Sequence, residues 1–330
     1  MILLTGGLGY IGSHTAVELI QRGYQILIVD NLSNSTIESL DRIEEVSGIR
    51  PEFLNIDLRD KKEVDKIFEY DINGCIHFAA FKSVNESVDK PLEYFENNLH
   101  SLTNLLSEFK KRNISNFIFS SSCTVYGIPD VVPVSEISEV KMTETPYGDT
   151  KRMGEDIIKR SKISSIILRY FNPIGAHPSG KMGEIPNGIP NNLLPYLTQT
   201  AKKVRDKLSV FGNDYNTKDG TAIRDYIHVV DLARAHVISL ERLLESRIVG
   251  PYEIFNIGTG KGNSVLEIIE TFEKVNGIKV NWEYTDRREG DIPEIFSDTT
   301  KSREVLGFTP QYTIEDSLRH SWLWETNNIK

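Results

Sequence analysis

The chain of 330 residues carries a formal net charge of −9; hydrophobic residues make up 39% of it and charged residues 26%. These values are typical of a soluble globular protein, and the length favours two lobes over a single core. The acidic balance, without a lysine-arginine block, argues against nucleic acid as a partner.

Two cysteines, Cys75 and Cys123, are too few for a disulfide framework and favour a reducing compartment. The first residues, MILLTGG, lack the basic segment and long apolar run of a signal peptide. No apolar stretch of the sequence approaches the roughly 18 residues that a membrane-spanning helix needs. We therefore expect a cytoplasmic protein without a membrane partner.

The first half of the chain alternates between short β-branched runs and helical patterns. The runs lie at 2–4, 25–29, 52–56, 74–80, 116–121 and 165–171, and the helical patterns at about 12–22, 35–47, 61–70, 84–112 and 147–162. The runs are typical of buried parallel strands because they are apolar on both faces. This alternation predicts an α/β fold with a doubly wound, Rossmann-like parallel sheet.

The character of the sequence changes after residue 172. The stretch NPIGAHPSGKMGEIPNGIPNN is rich in proline, glycine and asparagine, and we predict that it is irregular. Helical patterns follow at about 190–203, 229–246, 264–276 and 313–326, mixed with short strands. We predict a first domain over 1–172 and a smaller α/β lobe over 173–330, and we expect a strand near 252–258 to rejoin the first sheet.

A glycine-rich loop follows the first predicted strand. In LLTGGLGYIGSHTAVELIQRG, the glycines Gly6, Gly7, Gly9 and Gly12 satisfy the G-x-G-x-x-G spacing between a strand and a helix. Such a loop lets backbone approach a pyrophosphate at a helix N-terminus. Asp30 ends the second strand 18 residues beyond Gly12, where a carboxylate can hold ribose hydroxyls. The adjoining NLSNS offers no arginine for a 2′-phosphate, so NAD is favoured over NADP.

Two further strand ends carry candidate ligand contacts. Asp57, after the third strand, is similar to the adenine-binding acid of related folds, although a strand-end cap is an alternative interpretation. The segment HFAAFKS, residues 77–83, ends the fourth strand with small residues. Ligands of doubly wound sheets dock at this carboxyl edge.

A tyrosine and a lysine lie four residues apart in TPYGDTKRMGE, at the start of a predicted helix. This spacing places Tyr147 and Lys151 on one helix face, although it also arises by chance. The strand NFIFSSSC delivers Ser122 to the same edge of the sheet. An ammonium and a positive nicotinamide ring would both lower the pKa of the phenol from about 10, so that Tyr147 could act as a base.

These motifs resemble the extended short-chain dehydrogenase/reductase superfamily and, within it, the UDP-glucose 4-epimerase family. The likeness extends from Leu3 to about Trp324 and is carried most specifically by SVNESVDKPLEYFENN, SSSCTVYG, RYFNPIGAHPSGKMGE, FGNDYNTKDGTAIRDYIHVVDLA, NIGTGKGNSVLE and RREGDIP. It implies reversible epimerisation of UDP-galactose and UDP-glucose at C4, by transient hydride transfer to NAD. The 4-keto sugar turns over in the site and the hydride returns to its other face, so the cofactor stays tightly bound.

The resemblance also implies residue roles. Tyr147 would take the 4-hydroxyl proton, Lys151 would hold the nicotinamide ribose, and Ser122 would contact the sugar oxygen. The expected cofactor contacts, besides Tyr147 and Lys151, are Gly6, Gly9, Tyr10, Ile11, Gly12, Asp30, Asn31, Asn34, Ser35, Asp57, Leu58, Phe78, Ala79, Ala80, Lys82, Asn97 and Phe171. The expected UDP-sugar contacts, besides Ser122 and Tyr147, are Asn172, Asn192, Leu193, Phe211, Arg224, Arg288, Asp291 and Ile295. The first domain would then bind NAD, the second would bind UDP-sugar, and the family implies a homodimer.

Two positions depart from the family pattern. Cys123 stands where alanine is more frequent, and we expect a small buried packing residue there. Ile295 lies where some bacterial members carry a tyrosine that narrows the sugar pocket. Since members with a smaller residue also accept N-acetylated sugars, Ile295 suggests some tolerance of UDP-N-acetylhexosamines.

Several other functions are alternatives to this one. An epimerase or decarboxylase acting on UDP-uronates is an open alternative, and an NAD-sensing binding protein is a more distant one. A 4,6-dehydratase would carry an Asp-Glu pair where this chain has Cys123 and Thr124. NIGTGKGNS fails the phosphate-loop pattern and FSSSC lacks a hydrolase elbow. The histidines show no metal-ligand spacing, so we expect no metal site.

Overall fold

A large parallel sheet forms the framework of the protein, whose computed structural model describes residues 1–288 and 290–328. The lateral order of its strands is β10-β6-β5-β4-β1-β2-β3. The strands in chain order are β1 (Ile2–Thr5), β2 (Ile26–Asp30), β3 (Glu52–Asn55), β4 (Gly74–His77), β5 (Phe117–Ser122), β6 (Ser165–Tyr170), β7 (Asn172–Ile174), β8 (Leu208–Phe211), β9 (Ile223–His228), β10 (Tyr252–Ile257), β11 (Gly262–Ser264), β12 (Trp282–Thr285) and β13 (Glu294–Ile295). This order is that of a doubly wound α/β sheet, so the predicted fold class is confirmed.

Helices cover both faces of this sheet. The helices of the described residues, in chain order, are α1 (Tyr10–Gln21), α2 (Glu38–Ser47), α3 (Lys61–Ile67), α4 (Val84–Asp89), α5 (Pro91–Phe95), α6 (Ser101–Lys111), α7 (Pro146–Ser161), α8 (Leu193–Ala201), α9 (Val229–Leu244), α10 (Val265–Asn276) and α11 (Ile314–Asn327). Of these, α8, α10 and α11 pack with the strands of the smaller sheets. Successive strand residues point to opposite faces. Leu4 therefore packs in the core layer of α1, α2 and α9, and Leu3 in the layer of α3, α6 and α7.

Three local predictions were wrong. The strand predicted at 52–56 is not buried on both faces, because β3 is the edge strand and is half exposed. The helix predicted over 84–112 is divided, since Pro91 has no N–H to continue α4 and instead starts α5. A π-helical segment, Glu96–His100, then leads into α6. The strand predicted at 74–80 ends at His77, which leaves Phe78–Ala80 outside it.

The second half of the chain builds smaller sheets beside the large one. Strand β9 pairs with β7, β11 and β13, and β8 pairs with β12. The predicted irregular stretch after residue 172 therefore begins with a short strand, β7, that prediction missed. Helix α9 packs against α1, and β10 pairs with β6 at the edge of the large sheet. Both elements lie beyond residue 172 but pack with elements of the first half of the chain. The division into domains 1–172 and 173–330 stays a prediction.

Candidate active site

The candidate site lies at the carboxyl edge of the large sheet. Strand β1 stands between β2 and β4, so the chain leaves the sheet in opposite directions on the two sides of β1. Ligands of doubly wound sheets bind in the crevice that forms at this point. The glycine loop follows β1, Asp30 ends β2, and Ser122 ends β5. The fold thus brings the predicted cofactor and catalytic positions to one edge.

The glycine loop is shaped for close approach of a ligand. Gly6 has φ +65°, and a Cβ atom there would lie 2.6 Å from the backbone nitrogen of Ala79. A Cβ on Gly12 would lie 2.4 Å from the carbonyl oxygen of Gly6. Helix α1 begins at Tyr10 after Gly9, whose lack of a side chain leaves the helix without a side-chain cap. Its first N–H groups are available to an anion, which fits a dinucleotide pyrophosphate.

Asp30 organises the loop beside the glycines. Its buried carboxylate accepts hydrogen bonds from the backbone N–H groups of Leu8 and Leu32, at 3.1 and 3.0 Å. The Ser35 hydroxyl donates a third, at 2.8 Å. A carboxylate offers about four acceptor positions, so Asp30 retains capacity for a ribose hydroxyl.

Asp57 has a partner that sequence reasoning missed. The Arg59 side chain donates to both carboxylate oxygens and lowers the pKa of Asp57 to about 2. Asn31 donates to the same carboxylate at 3.3 Å. Asp57 is therefore held ionised at the end of β3, where the adenine side of a dinucleotide is expected.

The remaining predicted cofactor positions lie near the same edge. Tyr10 donates its hydroxyl to the Gly175 carbonyl at 2.6 Å, and Lys82 donates to Glu184 at 3.1 Å. Asn97 is buried beside Asn98, and Phe171 follows β6 in an apolar cluster. The others follow the carboxyl ends of β1 to β4: Ile11, Asn31, Asn34, Ser35, Leu58, Phe78, Ala79 and Ala80.

Helix α7 presents the tyrosine and the lysine. It starts at Pro146, and the Thr145 hydroxyl caps it by accepting from the Gly148 N–H. Tyr147 and Lys151 are both buried on one face of this helix. The ammonium of Lys151 donates to the Ser120 carbonyl at 2.8 Å and lies 5.2 Å from the centre of the Phe119 ring. The lysine is therefore anchored to β5, the strand that ends in Ser122.

Burial dominates the electrostatics of this pair. It raises the pKa of the Tyr147 phenol well above its ordinary value, although hydrogen bonding with Ser122 acts in the opposite direction. Burial lowers the pKa of Lys151 to about 8. The lowering of the phenol pKa that the sequence led us to expect from Lys151 is not among the interactions that set it, and desolvation dominates. A further positive charge beside the phenol is needed to favour the phenolate.

A buried ion pair that sequence reasoning missed lies one turn beyond Lys151. Glu155 of α7 accepts from Arg169 of β6 at 2.8 and 2.6 Å and from the Ser121 hydroxyl at 2.6 Å. Both charged side chains are at most 2% exposed. Burial raises the pKa of Glu155, but the hydrogen bonds and charge of Arg169, the hydrogen bond from Ser121 and the charge of Lys159 together outweigh it, so the net pKa is lowered. The network holds α7 against β5 and β6. The sequence feature that could have predicted this ion pair is the arginine within the otherwise apolar strand SIILRYF.

A cavity of about 520 Å³ opens beside the segments that carry the predicted catalytic residues. Its wall includes Cys123, Thr124 and Thr145, which are chain neighbours of Ser122 and Tyr147, whereas Ser122 and Tyr147 themselves are not among the lining residues. The cavity brings together the eight remaining substrate positions predicted from sequence: Asn172, Asn192, Leu193, Phe211, Arg224, Arg288, Asp291 and Ile295.

Two arginines give this cavity positive groups. Arg224 pairs with Asp291 at 3.2 Å, and Arg288 lies over the Phe211 ring at 5.0 Å from its centre. Asn85, which prediction missed, accepts from Arg288 at 3.2 Å when its amide oxygen faces the guanidinium. The planar guanidinium fork suits phosphate oxygens.

The two departures from the family pattern share one apolar cluster. Cys123 and Ile295 both pack with Val125, Tyr126 and Phe171, and both line the cavity. Burial raises the pKa of the Cys123 thiol to about 12, so the thiol stays protonated. Cys123 accordingly serves as a small packing residue, which agrees with the expectation from sequence.

The glycine-rich segment at 256–264 surrounds a carboxylate of the protein itself. Asp225 of β9 is fully buried and accepts from the backbone N–H groups of Thr259 and Gly260 at 2.8 and 3.1 Å. Ser297 donates its hydroxyl to the same side chain at 2.5 Å. These hydrogen bonds hold Asp225 in place and thereby fix the backbone of β9 at the neighbouring Arg224.

Two absences hold for residues 1–288 and 290–328. None of the helices there is long and apolar enough to cross a membrane. Within the same residues, no cluster of three or more histidine, cysteine, aspartate or glutamate side chains could hold a metal ion.

Comparison with known proteins identifies relatives along the whole chain. The NAD dependent epimerase/dehydratase family matches residues 2–258. The UDP-glucose 4-epimerase of Bacillus subtilis is 49% identical, over 99% of this chain and 97% of the relative. The crystal structure of a Stenotrophomonas maltophila UDP-glucose 4-epimerase, with NAD and formylated UDP-arabinopyranose, superposes with a TM-score of 0.94 at 42% identity. It covers 99% of this chain and 98% of that one. The Bifidobacterium longum enzyme, in complex with NAD+ and UDP, gives a TM-score of 0.93 at 42% identity, over 99% and 98%.

Proposed function

This chain belongs to the NAD dependent epimerase/dehydratase family, and on that premise we propose that it interconverts UDP-galactose and UDP-glucose at C4 of the sugar. The family resemblance predicted from sequence motifs is confirmed. The observation that carries the proposal is the cavity beside Ser122 and Tyr147. It gathers positions from β7, α8, β8, β9 and β13 that the motifs assign to UDP-sugar binding.

The crevice at β1 fits NAD. The glycine loop and the uncapped start of α1 take the pyrophosphate, and Asp30 takes a ribose. NAD supplies, when bound, the hydride acceptor and donor for C4 of the sugar. Lys151 holds the nicotinamide ribose from its anchor on the Ser120 carbonyl.

Tyr147 carries the proton transfer. It takes the proton of the sugar 4-hydroxyl and later returns one, while the Ser122 hydroxyl hydrogen-bonds the same oxygen. Burial alone favours the neutral phenol. The ammonium of Lys151 and the positive charge of oxidised nicotinamide would both favour the phenolate, and the burial of Tyr147 and Lys151 strengthens such charge interactions. The catalytic base is therefore active when the oxidised cofactor is in place.

The arginines hold the other half of the substrate. Arg224 and Arg288 lie on the cavity wall and bind the diphosphate of UDP. Before the substrate binds, Asp291 accepts a hydrogen bond from Arg224 and holds its guanidinium at the cavity wall, where the phosphates would lie. Asn172 and Asn192 provide amide groups toward the nucleotide-sugar.

The sugar end of the cavity determines substrate range. Ile295, only 2% exposed, forms part of the cavity wall and is smaller than a tyrosine. We propose that this leaves room for an N-acetyl group, so that UDP-N-acetylhexosamines are turned over in addition to UDP-hexoses.

The family and the thiols support a proposal for the oligomeric state and the compartment. We propose that the protein works as a homodimer, as the family does, and in the cytoplasm. Both cysteines are free and buried, which suits a reducing compartment.

Purified protein mixed with UDP-galactose, without added NAD, tests the proposal. We expect the anomeric NMR signal of UDP-glucose to appear, because the cofactor is retained through purification. Activity that requires added NAD would contradict tight retention. Absence of any UDP-glucose even with NAD would contradict the substrate assignment.

A further inference from the structure

Glu184 lies between the predicted cofactor side and the predicted substrate side of the site. One oxygen of its carboxylate, Oε1, accepts from the Lys82 ammonium at 3.1 Å and from the Asn192 amide at 2.8 Å. Lys82 follows β4 on the cofactor side, and Asn192 precedes α8 on the wall of the substrate cavity. A single acceptor atom therefore joins the two sides.

The backbone at Glu184 is held rigidly. A Cβ on the preceding Gly183 would lie 2.5 Å from the Trp324 ring, so the indole packs directly on this backbone. The Trp324 indole N–H donates to the Glu184 carbonyl at 3.1 Å. Met182 is buried in the core, and its carbonyl accepts from the His177 N–H at 2.8 Å. The carboxylate is thus fixed from behind, and its side chain is only 14% exposed.

Glu184 also acts on the start of α1. Its charge adds to burial in raising the pKa of Tyr10 well above its ordinary value. Tyr10 belongs to the glycine loop, and its hydroxyl donates to the Gly175 carbonyl of the segment that follows β7. The negative charge therefore acts on the side chain of the first residue of α1.

We infer that Glu184 is a positioning residue that couples retention of NAD to occupation of the UDP-sugar cavity. The inference rests on the proposed function. A uridine nucleotide that orders Asn192 at the start of α8 also orders the carboxylate, and the carboxylate then holds Lys82 over the cofactor. Lys82 and Asn192 donate to the same oxygen of Glu184. A ligand that restricts the position of one of these side chains therefore also restricts the position of the other. Such coupling is reciprocal, so NAD in turn strengthens nucleotide binding.

Exchange of bound NAD for radiolabelled NAD tests this inference, measured in purified holoenzyme with and without UDP. In the parent protein we expect UDP to slow exchange by about fivefold or more, the lower end of ordinary coupling between sites. In Glu184→Gln, which keeps the shape but loses the charge, we expect UDP to slow exchange by less than about twofold. The KM for UDP-galactose should rise while kcat changes little.

Glu325→Gln is the matched control. Glu325 is 13% exposed, it accepts from Thr198 and pairs with Lys202 beside α8, and its carboxylate is hydrogen-bonded to neither Lys82 nor Asn192. A purely structural effect of losing a half-buried carboxylate would appear in both variants, but the loss of coupling should appear only in Glu184→Gln. Equal slowing by UDP in Glu184→Gln and the parent, or no slowing in the parent, would overturn the inference. The proposed function fails separately, if the parent does not convert UDP-galactose.

Discussion

The Lys151 ammonium lies 5.8 Å from the centre of the Tyr147 ring, and its own hydrogen bond goes to the β5 backbone. Lysine and tyrosine therefore interact through space, as charge and phenol, and the backbone anchor keeps that separation constant. In a buried site such a charge interaction is stronger than in water. This geometry agrees with the proposed role of Lys151, which is to favour the phenolate together with the oxidised cofactor.

Replacing the phenol tests the role of Tyr147. We expect Tyr147→Phe to lower kcat by about 10²- to 10⁴-fold, the ordinary contribution of general acid-base catalysis. The amount of NAD that copurifies should stay unchanged, because the substitution removes only a hydroxyl. Turnover of UDP-galactose and the NAD released on denaturation are the two measurements.

Tyr170→Phe is the control for this substitution, since Tyr170 is a neighbouring phenol whose pKa burial raises to about 12. It should retain activity within about threefold of the parent. A Tyr147→Phe variant with comparable activity would rule out the tyrosine as the base.

The buried pair Arg169–Glu155 should control stability. Arg169→Met leaves the Glu155 carboxylate buried without its main partner, which costs about 3–5 kcal/mol in similar cases. The double variant Arg169→Met, Glu155→Met should recover most of that loss, because no isolated charge remains. Urea unfolding curves of the parent, the single and the double variant provide the free energies of unfolding.

Arg22→Met serves as the exposed counterpart, since Arg22 pairs with Glu241 at the surface with side-chain exposures of 36% and 23%. Its cost should be at most about 1 kcal/mol. Equal effects of Arg169→Met and Arg22→Met would show that the buried network does not hold α7 in place.

The buried His77 should make the fold sensitive to acid. Burial, with the charge of Lys151, lowers the pKa of His77 to about 3, and its ring is hydrogen-bonded to the Thr5 hydroxyl at 2.7 Å. Below about pH 6.5 the unfolded chain binds a proton at this residue and the folded chain does not, so the free energy of unfolding falls as the pH falls. The contribution at pH 5 is about 2 kcal/mol.

His77→Asn should therefore lose about 2 kcal/mol less stability than the parent between pH 7.5 and pH 5. His100→Asn, at an exposed position, should lose as much as the parent. Denaturant titrations at the two pH values measure these differences. If His77→Asn is as acid-sensitive as the parent, the neutral buried ring is not the cause.

Substrate range should depend on Ile295. We expect Ile295→Tyr to lower kcat/KM for UDP-N-acetylgalactosamine by at least about tenfold relative to UDP-galactose, because the larger ring fills the space beside Cys123. The conservative Ile295→Leu should leave the ratio nearly unchanged. Undetectable turnover of UDP-N-acetylglucosamine by the parent at high enzyme concentration would contradict the proposed tolerance.

Much of the fold could be predicted because the central strands carry a local signal. β1, β2, β4, β5 and β6 are apolar on both faces, and this pattern is what a covered parallel sheet requires. β3 has the same type of sequence but lies at the sheet edge, and lateral order is a property of the whole fold. β7 is three residues long in a proline-rich stretch. Its pairing with β9 comes from distant residues, which a local pattern cannot reveal.

The candidate site divides in the same way. The glycine loop, Asp30 and the Tyr147–Lys151 spacing are local patterns, and the structure brings them to one edge of the sheet. Other contacts around the site join residues from different segments, and a local pattern does not predict them. Examples are Arg169 with Glu155, and Glu184 with Lys82. The 256–264 loop shows why a local glycine pattern is not enough to assign a ligand. Its backbone N–H groups bind the buried carboxylate of Asp225, some thirty residues earlier in the chain.

The most direct test of the central claim uses UDP-galactose that carries deuterium at C4. The purified protein, without added NAD, should convert it to UDP-glucose that keeps the deuterium at C4, as read by mass spectrometry and NMR. Retention is expected because the hydride leaves and returns within one closed site. Loss of the deuterium to water, or the absence of UDP-glucose, would contradict the account.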